Sequence, residues 1–97
     1  MVVVRFELHI PLSRSLKEKR AVVKPTLDGI RHRFSLSVAE VGYQDTWQRA
    51  AVGVAVVSGS SAHATEVAAS VERWVWSRPD LEVTRCEHQW FAWDDAS

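Results

Sequence analysis

The first ten residues constrain this chain most. Val2, Val4, Phe6, Leu8 and Ile10 occupy every second position, and Arg5, Glu7 and His9 stand between them. A period of two puts the apolar set on one face of a β-strand and the polar set on the other. Such a strand belongs in a sheet that is covered on one side only. Pro11 ends it, because proline has no N–H to give to the ladder.

The segments that follow supply the cover and the remaining strands. Ser15-Leu16-Lys17-Glu18 has the form of a capping box, in which the Ser15 hydroxyl accepts from the Glu18 amide and the Glu18 carboxylate reaches back to the Ser15 amide. Leu16, Val23, Leu27, Ile30 and Phe34 then fall on one helical stripe, predicting a helix over 15–34. Pro25 lies inside it, deletes one hydrogen bond and meets the carbonyl of Ala21, so a kink is expected. Leu36 to Val41 reads as a short strand, 42–45 as a turn, and Arg49 to Ser58, rich in Val and Ala, as a central strand. Gly59-Ser60-Ser61 forms a turn and an N-cap for a second helix carrying Ala64, Val67, Ala68, Val71, Trp74 and Val75, which ends before Pro79. Leu81 to Trp93 is the last strand. Its apolar phase slips between Val83 and Cys86, which implies a bulge.

The order βαββαβ predicts an α+β, ferredoxin-like domain: a four-stranded antiparallel sheet with two helices on one face and the other face bare. Ninety-seven residues make one such domain, 1–97, with 94–97 as a frayed tail. The single cysteine, Cys86, excludes an internal disulfide and a thiolate cluster. Mid-strand and without an evident activating neighbour, it is expected to be a buried, inert thiol. No apolar run approaches the roughly 20 residues needed to span a bilayer. The apolar start has neither a basic leader nor a cleavage site, so the cytoplasm is the expected compartment.

The formal net charge is zero, yet charge is unevenly placed: residues 14–33 carry seven Lys or Arg and two acids. Lys17, Arg20, Lys24 and Arg31 fall within an arc of about 60°, in a row about 21 Å long. With Arg14, such a row can pair with the phosphates of an RNA strand; it can equally be a solvated helix flank. On the bare sheet face, Glu7 and His9 point the same way, but two ligands fall short of the three or four that zinc needs, and Arg5 and Glu7 can simply pair with neighbouring strands. Gln44, Asp45, Trp47 and Arg49 form a polar turn with one aromatic, fit to stack on a base, to anchor a partner protein, or to fold back over the sheet's end. Trp74 follows the buried helical stripe. Trp76, Trp90 and Trp93 suggest at least one exposed indole, and a homodimer through the open sheet face is one way to cover it. The central strand lacks the stacking aromatics of an RNA-recognition motif. No phosphate loop and no catalytic triad is visible, so no enzyme activity, cofactor, metal or small-molecule substrate is expected.

His9-Ile10-Pro11-Leu12-Ser13-Arg14-Ser15-Leu16-Lys17-Glu18-Lys19-Arg20, Ser37-Val38-Ala39-Glu40-Val41 and Gln44-Asp45-Thr46-Trp47-Gln48-Arg49-Ala50 carry a resemblance. In these stretches, and in Val54-Ala55-Val56-Val57-Ser58 with His63 beyond it, the chain resembles the YlxP-like family, a bacterial domain of unknown function. The resemblance implies a small ferredoxin-like protein encoded among translation and ribosome-maturation genes, and from that a ribosome-associated or RNA-binding factor. It defines no catalytic residue. Pro25 and the Trp-rich stretch from Trp90 to Trp93 depart from the pattern. The leading expectation is therefore a non-enzymatic factor that meets ribosomal RNA or a ribosomal particle, and the second is a homodimeric interaction module.

Overall fold

The computed structural model describes residues 1–92, which run β1 (Val2–His9), α1 (Leu16–Phe34), β2 (Ser37–Gly42), β3 (Arg49–Val56), α2 (Ser61–Trp76) and β4 (Glu82–Trp90). The strands form one sheet in the order β2-β3-β1-β4, and β1–β3, β1–β4 and β2–β3 are all antiparallel. This is the ferredoxin-like arrangement expected. Trp93 and the tail 94–97 lie outside the described residues.

The alternation in β1 sets both faces. Val2, Val4, Phe6 and Leu8 pair with Val56, Val54, Val52 and Ala50 of β3, and this set packs with Val23 and Ile30 of α1 and Ala64, Ala68, Val71 and Val75 of α2. Both helices thus share one core on one side of the sheet. Arg5, Glu7 and His9 lie opposite Gly53, Ala51 and Arg49 on the uncovered side.

The α1 cap forms with one adjustment. The Glu18 amide donates to Ser15 Oγ at 3.1 Å, but the Glu18 carboxylate accepts from the Arg14 amide at 2.9 Å, one residue earlier than a standard capping box would place it. The helix then runs unbroken through Pro25. Ala21 and Pro25 are both exposed, so water can serve the carbonyl that proline leaves unpaired, and α1 remains the single helix expected. At the far end Ser35 closes the helix in the left-handed region, its amide donating to the Arg31 carbonyl at 3.0 Å.

The bulge predicted in β4 is at Thr84. Glu7 faces Arg85 while Leu8 faces Val83, so Thr84 is the extra residue; its hydroxyl donates to the Glu7 carbonyl at 3.1 Å. The strands are shorter than expected at their ends: β3 stops at Val56 rather than Ser58, and β4 covers Glu82–Trp90. Between the helices, Trp74 lies over Gly29, where a Cβ would fall inside the indole, and Arg33 and Arg78 stack on it at 5.4 and 5.0 Å.

Candidate functional site

Three groups of polar side chains stand out, and they occupy separate parts of the surface. The first is on the open sheet face. Glu7 is buried there, and its carboxylate accepts from Arg5 at 3.0 Å, Tyr43 Oη at 3.1 Å and Arg49 at 3.2 Å. Tyr43 holds a left-handed backbone (φ 57°), uncommon for a residue with a Cβ, and its ring lies 4.2 Å from the Arg49 guanidinium. These contacts hold the Glu7 carboxyl below its ordinary 4.5: the Tyr43 hydroxyl is the chief cause, burial opposes it, and Arg5 and Arg49 reinforce it. A carboxylate so surrounded is satisfied and stays ionised, which suits a structural anchor better than a proton donor. His9 stands apart, its Nδ1 3.2 Å from Glu82 Oε2. Among the described residues neither Glu7 nor His9 belongs to a group of three metal-ligating side chains.

Beside this network runs a shallow apolar strip of Val3, Ala39, Val41, Gly53 and Ala55. None of the described tryptophans is on it. Trp47 is in the β2–β3 connection, Trp76 ends α2, and Trp90, paired with Val2, belongs to the helix side of the sheet. Trp76 and Trp90 are exposed, as expected of at least one indole, but neither is on the open face; the Thr84 bulge turns Trp90 to the helix side, and Trp93 lies outside the described residues.

The second group is the helix row and the turn beside it. Arg14, Lys17, Arg20, Lys24 and Arg31 are all exposed. Arg31 is engaged, bonding Asp28 Oδ1 at 3.2 Å and the Val38 carbonyl at 3.0 Å, which seats the C-terminal end of the row against edge strand β2. The turn docks on the start of α1: Gln48 Nε2 donates to the Pro11 and Ser13 carbonyls, and the Ile10 amide to the Gln48 carbonyl. Gln44 donates to the Glu40 carbonyl at 3.2 Å, Asp45 is exposed, and Trp47 is 55% exposed at the same end of the molecule as Arg14. Arg49, placed by its sequence in this turn, is instead spent on Glu7 and Tyr43.

Sequence reasoning missed what fixes that turn. Lys19 falls on the core-facing side of α1, 1% exposed, and its ammonium donates to the carbonyls of Tyr43 (2.8 Å), Gln44 (3.2 Å) and Arg49 (3.3 Å). Its position between Leu16 and Val23 in the helical stripe was the available signal.

The third group is Glu72 of α2 with Cys86 and His88 of β4, a juxtaposition the sequence hides because Glu72 comes from another element. Cys86 and His88, two apart past the bulge, face the helix layer opposite Phe6 and Val4. The Cys86 thiol donates to Glu72 Oε1 at 3.1 Å and His88 Nε2 lies 2.6 Å from the same oxygen. Burial, then the hydrogen bond to Glu72 and the charges of Glu72 and Glu87, push the thiol up to about 12. Cys86 is therefore no free-standing core thiol but half-buried against a carboxylate.

With the geometry described, comparison with known proteins adds the lineage. A family model described as a protein of unknown function (DUF503) matches residues 1–88, from β1 nearly to the end of β4. This chain belongs to the DUF503 family. An uncharacterised protein, YlxP of Bacillus subtilis (strain 168), is 43% identical to it over 77 residues, covering 79% of this chain and 84% of that protein. The DUF503 match takes in all three groups described above. No helix among the described residues is long and apolar enough to cross a membrane.

Proposed function

We propose that this chain is a non-enzymatic RNA-binding factor, associated with ribosomal RNA or a ribosomal particle, that uses the N-terminal half of α1 and the adjoining Trp47 turn. One observation supports it. Among the described residues, Arg14, Lys17, Arg20 and Lys24 are the Lys and Arg side chains without an ion pair, hydrogen bond or aromatic stack. The others are engaged within the fold, Arg33, Arg73 and Arg78 by a ring or a hydroxyl and the rest by carboxylates, so among the described residues the cations with no partner at all gather at the start of α1. Phosphate binding needs such unpaired cations, since a cation already matched to a carboxylate releases little counterion. Trp47 beside that edge offers a stacking surface for an unpaired base.

The test is fluorescence anisotropy with structured ribosomal RNA fragments at two salt concentrations. Changing Lys17, Arg20 and Lys24 together to Glu is expected to weaken binding by about 100-fold or more and to flatten the salt slope by about 2, since each single-strand phosphate contact contributes about 0.7. Equal affinity and slope for the triple variant, with its helical content intact, overturns the reading.

A homodimer through the open face is the second reading, supported by the apolar strip and by Val41, which is 53% exposed on it. Sedimentation at high micromolar concentration decides that one; a strict monomer removes it.

A further inference from the structure

Glu72, Cys86 and His88 each offer one ligand atom, and the three atoms lie within 4.8 Å of one another. Among the described residues this is the group of His, Cys and acidic side chains that gathers three such atoms. The fold creates it: the Thr84 bulge turns Cys86 and His88 toward the helix layer, and α2 lays Glu72 over them. We infer that these three residues form a mononuclear site for a zinc-class divalent cation, clamping edge strand β4 to α2.

The donor chemistry selects that class. Thiolate, imidazole and carboxylate together suit zinc, whose bonds to S, N and O run about 2.3, 2.0–2.1 and 2.0–2.2 Å. Ligand atoms around such an ion stand somewhat over 3 Å apart. The separations of 3.1 Å (Cys86 Sγ to Glu72 Oε1) and 2.6 Å (His88 Nε2 to Glu72 Oε1) must widen to admit it, by roughly 0.4 and 0.7 Å for a tetrahedral ion with these bond lengths, a side-chain rotation rather than a backbone shift. Calcium and magnesium, which prefer oxygen ligands, do not match a set with one sulfur and one nitrogen.

The surroundings are those of a site with three protein ligands and one free position. Glu72 and Cys86 are half-buried and His88 is more exposed, so the ion would have both a protected side and an entry path. A hollow of about 330 Å³ lined by Val2, Thr65, Ala68, Ala69, Trp90 and the Glu72 and His88 side chains adjoins it, room for a water or a small ligand in the fourth position. On binding, the Cys86 S–H proton passes to solvent as the sulfur–metal bond forms, and the thiol-to-Glu72 hydrogen bond is replaced by two bonds to the metal.

The experiment uses the untagged full chain, stripped with a chelator and titrated with zinc against a chromogenic competitor, and separately with cobalt(II). The wild type is expected to bind one equivalent of zinc, release protons, unfold at higher temperature with zinc than without, and give the near-ultraviolet thiolate-to-cobalt charge-transfer band. Cys86→Ser is expected to abolish that band, and His88→Gln, whose side chain is exposed enough to be replaced without unfolding the chain, to weaken zinc at least about tenfold. Glu72→Gln should do the same. A wild type without the cobalt band, or one whose zinc affinity and thermal shift survive unchanged in Cys86→Ser and His88→Gln, overturns the site.

Discussion

The Lys19 ammonium lies 3.0 Å from Glu40 Oε2, and through that contact α1 is tied to strand β2. The same ammonium reaches the carbonyls of Tyr43, Gln44 and Arg49, so Glu40 shares the cation with three backbone acceptors. The pair is buried on the lysine side and 22% exposed on the glutamate side.

Removing the cation should therefore be expensive. Lys19→Met leaves three carbonyls and a carboxylate without their partner; a cost of about 2–4 kcal/mol is expected, reduced from the fully buried case by the exposure of Glu40. Glu40→Leu in the Lys19→Met background should recover part of it, because the uncompensated charge goes with it. Urea unfolding of the two single variants and the double variant measures this, and simple additivity would contradict the pairing.

Tyr43→Phe removes the chief cause of the low Glu7 pKa, so the Glu7 carboxyl should titrate closer to 4.5. The sign of the stability effect follows from linkage. With the folded-state pKa below the unfolded one, the contribution is present above 4.5 and is lost as pH falls through the folded value. The variant is expected to lose stability relative to wild type above that window and to converge on it at lower pH. NMR titration of the Glu7 side-chain carbon reads the pKa, and denaturation at several pH values reads the rest.

At Gly29 two effects oppose. Alanine in a helix interior gains about 1 kcal/mol over glycine, but here its Cβ would enter the Trp74 ring, on which Arg33 and Arg78 both stack. The clash should win, leaving Gly29→Ala destabilised by about 1–2 kcal/mol net. In a Trp74→Leu background the same change should become neutral or stabilising. Thermal unfolding of the four chains completes the cycle.

Pro25→Ala restores an N–H for the Ala21 carbonyl at an exposed position of an unbroken helix. A gain of about 1–2 kcal/mol is expected, the larger helix-interior penalty of proline being partly offset by the freedom the unfolded chain regains. RNA affinity should stay the same if Lys17, Arg20 and Lys24 keep their places.

Much of this fold was legible in the residues because it rests on local periodicity. The alternation in β1, the Ser15–Glu18 cap, the stripe of α2 and the slipped phase of β4 each carry their own signal. What was hidden depends on partners far apart in the chain. Lys19 looks like any helix lysine until Tyr43, Gln44 and Arg49 turn their carbonyls toward it. Arg49 looks like a free turn residue until Glu7 and Tyr43 capture it. Glu72 has no mark of its own, and only β4 lying beneath α2 gives it Cys86 and His88 as neighbours. The face taken by Trp90 was left open, because a bulge can be inferred from a broken alternation more easily than the face each half will take.

Thr84 acts as a phase shifter. Counted strictly by twos from Val83, the strand would turn Arg85 and Glu87 inward and send Cys86, His88 and Trp90 to the open side; the extra residue cancels that reversal. A chain lacking Thr84 would keep both halves of the strand in their present orientation with an even ladder, so a deletion at the bulge leaves inside and outside unexchanged, where one in the regular part of the strand would swap them.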